Sequence, residues 1–334
     1  MPKSTKEIAK ENVLRDAKTK DPEDLQEVHG YDFNKGVNYE ELFKQYTNTG
    51  FQATHLAKAI ELIKKMRKEK CTIFLGYTSS MVSSGLRDIF RYLVEHKFVD
   101  VIVTTAGGIE EDIIKCLKPF LLGNFSASGE YLRKEGINRT GNIFVPNSRY
   151  CEFEKFFVPL LKEITKEQKE TGNIISSKDL IWKLGNKINH KDSIYYWANK
   201  NQIPVFCPAI TDGSMGDMIY FFSYDHPEFR IDNAQDIRAF NDIAITAKKT
   251  GLIILGSGLI KHHILNANMM RNGANYTVYV NTAEEYDGSD AGARPDEAVS
   301  WGKILPKAQS VKVHADATIV FPIIVAETFA KEKR

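Results

Sequence analysis

Two carboxylates, a tryptophan and a lysine stand close together in DEAVSWGK, residues 296–303. A lysine is a nucleophile only as its free amine, which is scarce at neutral pH unless burial or nearby cations lower its pKa. The plain alternative for Lys303 is a solvated ammonium in a surface ion pair. Just upstream, Asp287 and Asp290 bracket an Asp-Gly-Ser-Asp turn that includes Gly288 and Ser289, and Gly292 follows. A solvated acidic loop explains the charges alone. The glycines instead fit a backbone folded tightly around something, and Trp301 is an awkward residue to expose. Carboxylates beside an aromatic wall suit a polyvalent organic cation, whose ammonium groups pair with the acids while the ring covers its methylenes. Lys303, desolvated at the end of such a pocket, becomes a nucleophilic amine.

Other polar groups recur at loop positions. GYTSSMVSSG (residues 76–85) offers Thr78, Ser79, Ser80, Ser83 and Ser84 between a strand and a helix. Small hydroxyl residues there either cradle a phosphate or cap the helix. TTAGG (residues 104–108) and LGSG (residues 255–258) are of the same kind. Gly256-Ser257-Gly258 does not extend to a G-x-G-x-x-G fingerprint and no Walker motif occurs, so a dinucleotide site here has to be of a non-standard type. His262 and Asn266 stand four apart, on one face of a helix. A lone histidine at a helix start is more often structural than a base; the adjacent His263 must face elsewhere, and no histidine pair has metal-ligand spacing.

The elements that would position these groups follow from the hydrophobic pattern. CTIFLG, VDVIVTT, GNIFVP, IPVF, GLIILGSG, YTVYVNT and SVKVHADA read as short strands, mostly alternating with helices, including one over about residues 86–96. The expectation is an α/β fold with a mainly parallel sheet and helices on both faces, a non-standard Rossmann-like arrangement. A polar, charged and mobile stretch of about 25 residues opens the chain. Residues 1–70 read as an N-terminal helical extension and residues 71–334 as a single catalytic domain. In such sheets ligands bind at the carboxyl ends of the strands, and each hydroxyl- or glycine-rich loop sits at such an end.

Composition narrows the classes. With 45 Lys and Arg against 43 Asp and Glu, no net field draws the chain to nucleic acid or anionic lipid. The 4 cysteines form no C-x-x-C pair, which argues against a zinc site or a disulfide framework and fits a reducing compartment. No apolar run approaches the roughly 20 residues that span a bilayer, and the N-terminus lacks a signal-peptide core. The expected setting is cytoplasmic, without metal, membrane or nucleic-acid partner.

The stretch GSDAGARPDEAVSWGK, with GLIKHHILNANMMRNGANY before it and VKVHADATIVFPIIVAETF after it, resembles the deoxyhypusine synthase family. So do VHGYDFNKGVNY, IFLGYTSS, VTTAGGIEEDIIKCL and PAITDGSMGDMI, in order along almost the whole chain. The resemblance implies NAD-dependent oxidation of spermidine and transfer of its 4-aminobutyl group, through a lysine imine, to one lysine of the translation initiation factor 5A precursor. It further implies a homotetramer, a dimer of dimers, in which an N-terminal segment covers a neighbouring subunit's site. By motif, Lys303 is the covalent amine and His262 the proton-handling residue. Glu110, Glu111, Asp217, Asn266, Tyr279, Gly288, Ser289, Asp290, Glu297 and Trp301 line the spermidine channel, with His262 among them. The NAD side comprises Ser79, Ser80, Ser83, Thr105, Ala106, Gly107, Glu111, Asp212, Gly256, Ser257, Gly258, Thr282, Ala283, Asp287, Asp316 and Ala317.

Three positions depart from the family pattern, all toward the cofactor. Ser80 stands where Asn is usual, Ser257 where a third consecutive glycine is usual, and Ala291 where Ser is usual. Two rival readings share most of these residues. A homospermidine synthase would pass the aminobutyl group to putrescine, and a non-catalytic regulatory subunit would support a partner's site.

Overall fold

The computed structural model describes residues 2–14 and 25–331. Within the N-terminus expected to be mobile, residues 15–24 lie outside the described residues, whereas Thr5–Val13 is a helix. Its start is fixed by a capping box, in which Ser4 Oγ accepts from the Glu7 amide and the Glu7 carboxylate accepts from the Ser4 amide.

The chain divides into two compact units between Thr54 and His55, earlier than the boundary expected at residue 70. The physical reason is the helix Phe51–Lys68, which buries Leu56, Ala57, Ala59, Ile60, Leu62, Ile63 and Met66. In the first unit the Tyr31 hydroxyl donates to the Gly36 carbonyl (2.9 Å) and accepts from the Asn38 amide (3.1 Å). That closes the VHGYDFNKGVN loop ahead of the helix Tyr39–Thr49, which Asn38 caps.

Among its described residues the second unit contains nine strands: β1 (Thr72–Tyr77), β2 (Val101–Thr104), β3 (Leu121–Leu122), β4 (Ile137–Thr140), β5 (Ile143–Pro146), β6 (Val205–Phe206), β7 (Thr250–Leu255), β8 (Ala274–Asn281) and β9 (Ile304–His314). Six of them form one sheet in the order β6-β2-β1-β7-β8-β9, and every pairing in it is parallel. The apolar runs of β1, β2 and β7 are buried on both faces, as strands of a covered parallel sheet must be. The GNIFVP strand, β5, belongs elsewhere. It pairs antiparallel with β3 and with β4 in a small separate sheet, because Gly141 (φ +57°) closes a tight turn between β4 and β5.

Helices cover both faces of the six-stranded sheet. On one, Phe74 packs edge-on against Phe240 of the helix Ala234–Thr246, and Ile260 and Ile264 of the helix Leu259–Met270 lie against Gly76. On the other, Met66 lies against Gly251, and Tyr77 stacks on Phe90, which touches Phe321 (centroids 4.2 and 5.7 Å). The chain runs outward from the centre through β1, β2 and β6, then returns and runs the other way through β7, β8 and β9. The order therefore reverses between β1 and β7, the crevice where doubly wound sheets take their ligands.

Candidate active site

The helix after β7 and the loop after β8 carry one cluster of the expected residues, which Lys303 joins from the amino end of β9. The short helix Pro295–Ser300 ends at Trp301, and Gly302 (φ +72°) turns the chain. The Lys303 amide donates to the Ala298 carbonyl and the Gly302 amide to the Val299 carbonyl, both at 2.9 Å. These are the two bonds of a Schellman cap, so Trp-Gly-Lys is first of all a helix terminus that delivers a lysine to the start of a strand. The Lys303 carbonyl is held in turn by the Ala274 amide. Lys303 is only 7% exposed, and its ammonium lies 5.6 Å from the centre of the Trp301 ring. Trp301 itself is exposed.

Lys303 lines a cavity of about 430 Å³ together with His262, Asn266, Gly288, Asp290, Glu297 and Trp301. That volume suits a small ligand. Gly292 makes the loop possible, since a Cβ there would sit 1.4 Å from the Glu284 carbonyl oxygen. One carboxylate oxygen of Asp290 is buried and accepts no hydrogen bond. An unpaired buried carboxylate oxygen is costly. Tyr279 is fully buried under the same loop with its hydroxyl unbonded. Burial holds that phenol well above its ordinary pKa, and the charges of Asp290 and Glu297 add to the shift.

The two adjacent histidines part as their spacing requires. His262 Nδ1 lies 3.2 Å from Asn266 Nδ2, at the cavity. His263 stacks flat on Phe240 (4.5 Å, 5°), and burial, helped by the charge of His262, lowers it to about 4. His263 is half-buried and lines a different cavity, with Cys207 and Asp236. Ser289 is exposed and donates its amide to Asp287 Oδ1 (2.8 Å), so those two form the tip of the loop.

A second cluster lies after β1, β2 and β6. Both carboxylate oxygens of Glu110 accept from the first amides of the helix Ser214–Asp225, Ser214 at 2.9 Å and Met215 at 2.7 Å. Burial still raises its pKa, and Asp217 of the same helix pushes in the same direction. Glu111 accepts from the Ser83 hydroxyl. Burial lifts it to about 7, the Ser83 bond opposes that, and Glu110 adds to it. The third acid of the run, Asp112, is structural. Its buried carboxylate binds Arg87 Nε (2.8 Å), the Ser193 hydroxyl (2.6 Å) and the Ile194 amide.

Between the clusters is the crevice of reversed strand order. A Cβ on Gly256 would stand 2.6 Å from Thr78 Oγ1, and one on Gly107 would stand 2.7 Å from Ser79 Cβ, so the three loops meet closely with no side chain between them. The helices that begin after Thr78, Thr105 and Gly258 have no side chain bonded across their N-termini, and the buried Thr105 hydroxyl has no partner. Uncapped amides and an unpaired hydroxyl at a switch point fit the phosphates and ribose of a dinucleotide. Ala106 is buried in that first turn, Ser80 Oγ lies 3.4 Å from Thr78 Oγ1, and Ser257 stands half-buried between Gly256 and Gly258. Asp212 is exposed ahead of the Ser214–Asp225 helix. At the far side Thr282 and Ala283 give carbonyls to His314 and Lys312, while Asp316 caps the helix that Ala317 starts.

The expected channel residues are thus split. His262, Asn266, Gly288, Asp290, Glu297, Trp301 and Lys303 line one cavity, with Tyr279 beneath it. Glu110, Glu111 and Asp217 form the second group. Sequence reasoning missed Lys261, which is 1% exposed and lines the Lys303 cavity, and Arg294, which also lines it and is paired with Glu285. It missed Tyr150 as well, raised to about 12 by burial and by Glu111, Glu110 and Asp217. A lysine among Ile260, Ile264 and Leu265 was the signal available for Lys261.

Residues 41–328 match the family model described as deoxyhypusine synthase. The chain is 54% identical to a probable deoxyhypusine synthase of Drosophila melanogaster, covering 97% of this chain and 94% of that one. It is 51% identical to the deoxyhypusine synthase of Senecio vernalis, covering 100% and 98%. A crystal structure of an Entamoeba histolytica chain assigned as a deoxyhypusine synthase superposes with a TM-score of 0.64 at 37% identity, over 92% of this chain and 98% of that one.

Proposed function

The chain belongs to the deoxyhypusine synthase family, and from that premise we propose that it moves the 4-aminobutyl group of spermidine to one lysine of the translation initiation factor 5A precursor, using NAD. The observation that carries this reading is the cavity itself. A buried lysine lines one cavity with two carboxylates, a histidine and an indole, in a space sized for a small polyamine.

Asp290 and Glu297 take ammonium groups of spermidine, and Trp301 covers the methylenes between them. His262, its Nδ1 beside the Asn266 amide, has Nε2 left to take a proton from the secondary amine as the neighbouring carbon is oxidised. NAD, when bound, would supply the hydride acceptor for that carbon and the hydride donor for the final reduction. The crevice at Thr78, Gly107 and Gly256 would hold it, with Ser79, Ser80, Ser83, Thr105, Ser257, Gly258 and Asp212 along its rim. Lys303 then attacks the oxidised carbon and displaces 1,3-diaminopropane, so the aminobutyl group stays on the enzyme as an imine. The precursor's lysine displaces Lys303 in the same way, and the new imine is reduced. Water would hydrolyse either imine, which gives the N-terminal unit a role as cover for a neighbouring subunit's site in a homotetramer. The cytoplasm is the setting in which such a substrate is met.

Incubation of the chain alone with labelled spermidine and purified precursor, with and without NAD, tests the reading. NAD-dependent label on the precursor is the expected result. Label on putrescine instead would identify a homospermidine synthase, and no transfer from folded, NAD-binding protein would identify a regulatory subunit.

A further inference from the structure

The loop that carries Asp290 is gripped from inside by two lysines. Lys261, on the helix Leu259–Met270, donates to the carbonyls of Asp290 and of Ala293 (3.0 Å). Lys312, on β9, donates to the carbonyls of Ala283 (2.7 Å) and Gly292 (2.6 Å). We propose that Lys261 and Lys312 are positioning residues, an ammonium clamp that fixes the 283–293 loop so that Asp290 keeps its place in the lining of the polyamine cavity.

An ammonium withdrawn from water needs acceptors for three N–H bonds. Lys261 spends two on carbonyls, and its Nζ lies 4.7 Å from the centre of the Tyr279 ring, whose face takes the third direction. Burial lowers the pKa of both lysines, and the charge of Asp290 acts against this at Lys261. A direct Lys261–Asp290 ion pair would neutralise the carboxylate and occupy it. Bonding through the backbone carbonyl keeps the cation near enough to offset the buried charge while Oδ2 stays without a partner. The two grips interleave along the loop. Lys312 ties its beginning to its end, and Lys261 fixes the end that bears Asp290. Both lysines stand on elements that also carry the chemistry, since His262 follows Lys261 and β9 begins next to Lys303. The loop is thereby registered against the proton-handling residue and the nucleophile together.

The inference rests on the polyamine reading of the cavity, and its test separates the two. Hydrogen exchange of full-length Lys312→Met and Lys261→Met, without spermidine or NAD, should show amides of residues 283–293 exchanging at least tenfold faster, with β8 unchanged. In transfer assays the KM for spermidine should rise at least tenfold while kcat and the KM for NAD stay within threefold, and Lys312→Arg should restore most of the loss. Lys312 is only half-buried, so its variants test the clamp even if Lys261→Met does not fold. Loop exchange at the wild-type rate in Lys312→Met overturns the proposal, and so does a collapse of kcat with spermidine KM and loop exchange intact. If the wild-type chain transfers nothing, the proposed function fails, and the exchange data still decide the clamp.

Discussion

The two halves of the sheet spend their acids differently. After β1, β2 and β6, Glu110 is bonded by two helix amides and Glu111 by a serine hydroxyl. In the half built on β7, β8 and β9, Asp290 of the loop after β8 keeps an oxygen with no partner and Tyr279 of β8 a hydroxyl with none. A buried acid that is already bonded belongs to the scaffold and has its titration set by the fold. A buried acid held without a partner is an acceptor in waiting. The Glu110 half presents acids already bonded within the fold, and the Lys303 half an acid and a phenol still without partners.

The largest effect should come from Lys303→Arg. Arginine keeps the charge but cannot form an imine, so transfer should fall by about 10³-fold or more, with no spermidine-derived label retained after borohydride reduction. Normal labelling would move the nucleophile out of this half altogether. Next, Asp290→Asn should raise the KM for spermidine about 100-fold and that for NAD far less, because the amide no longer offers the charge a cation needs. Equal losses would place the loop on the cofactor's side.

Glu111 sharpens the other half. Its pKa is raised from the ordinary 4.5 to about 7 in the folded chain, so the native state binds the proton more tightly than the unfolded state. Its contribution to stability is full below about pH 4.5, falls as the pH rises from there to about 7, and is constant above. Replacing it with the permanently neutral Gln should flatten that slope by on the order of 2 kcal/mol, read from thermal melts across the pH window. An unchanged slope would mean that Glu111 is ionised throughout. The smallest effect is expected from Ser83→Ala, which removes one hydrogen bond and should cost about 1 kcal/mol of stability while moving the Glu111 transition to higher pH.

Much of this was legible in the residues. The buried strands show as apolar runs ending at Gly or hydroxyl loops, and the fourfold spacing of His262 and Asn266 anticipated their contact. GNIFVP was legible as a strand but not as a member of a separate sheet, because local hydrophobicity does not name a partner. Lys261 was passed over for a related reason. A lysine reads as solvated until the acceptors that bury it are known, and its acceptors are carbonyls 29 and 32 positions away in sequence. The split of the channel acids between two clusters depends on strand order, which no single motif encodes.

Trp301 stands at the rim of the cavity, 64% exposed, with a buried ammonium 5.6 Å from its ring. An indole so placed is an optical reporter in its own right. Entry of a polyamine would change both the polarity and the charge beside it, so its emission should shift in colour and intensity on filling. With only 3 tryptophans in the chain, Trp301→Phe isolates that signal by subtraction. The loading of the pocket can then be followed by fluorescence in real time, without label and without waiting for the chemistry to occur.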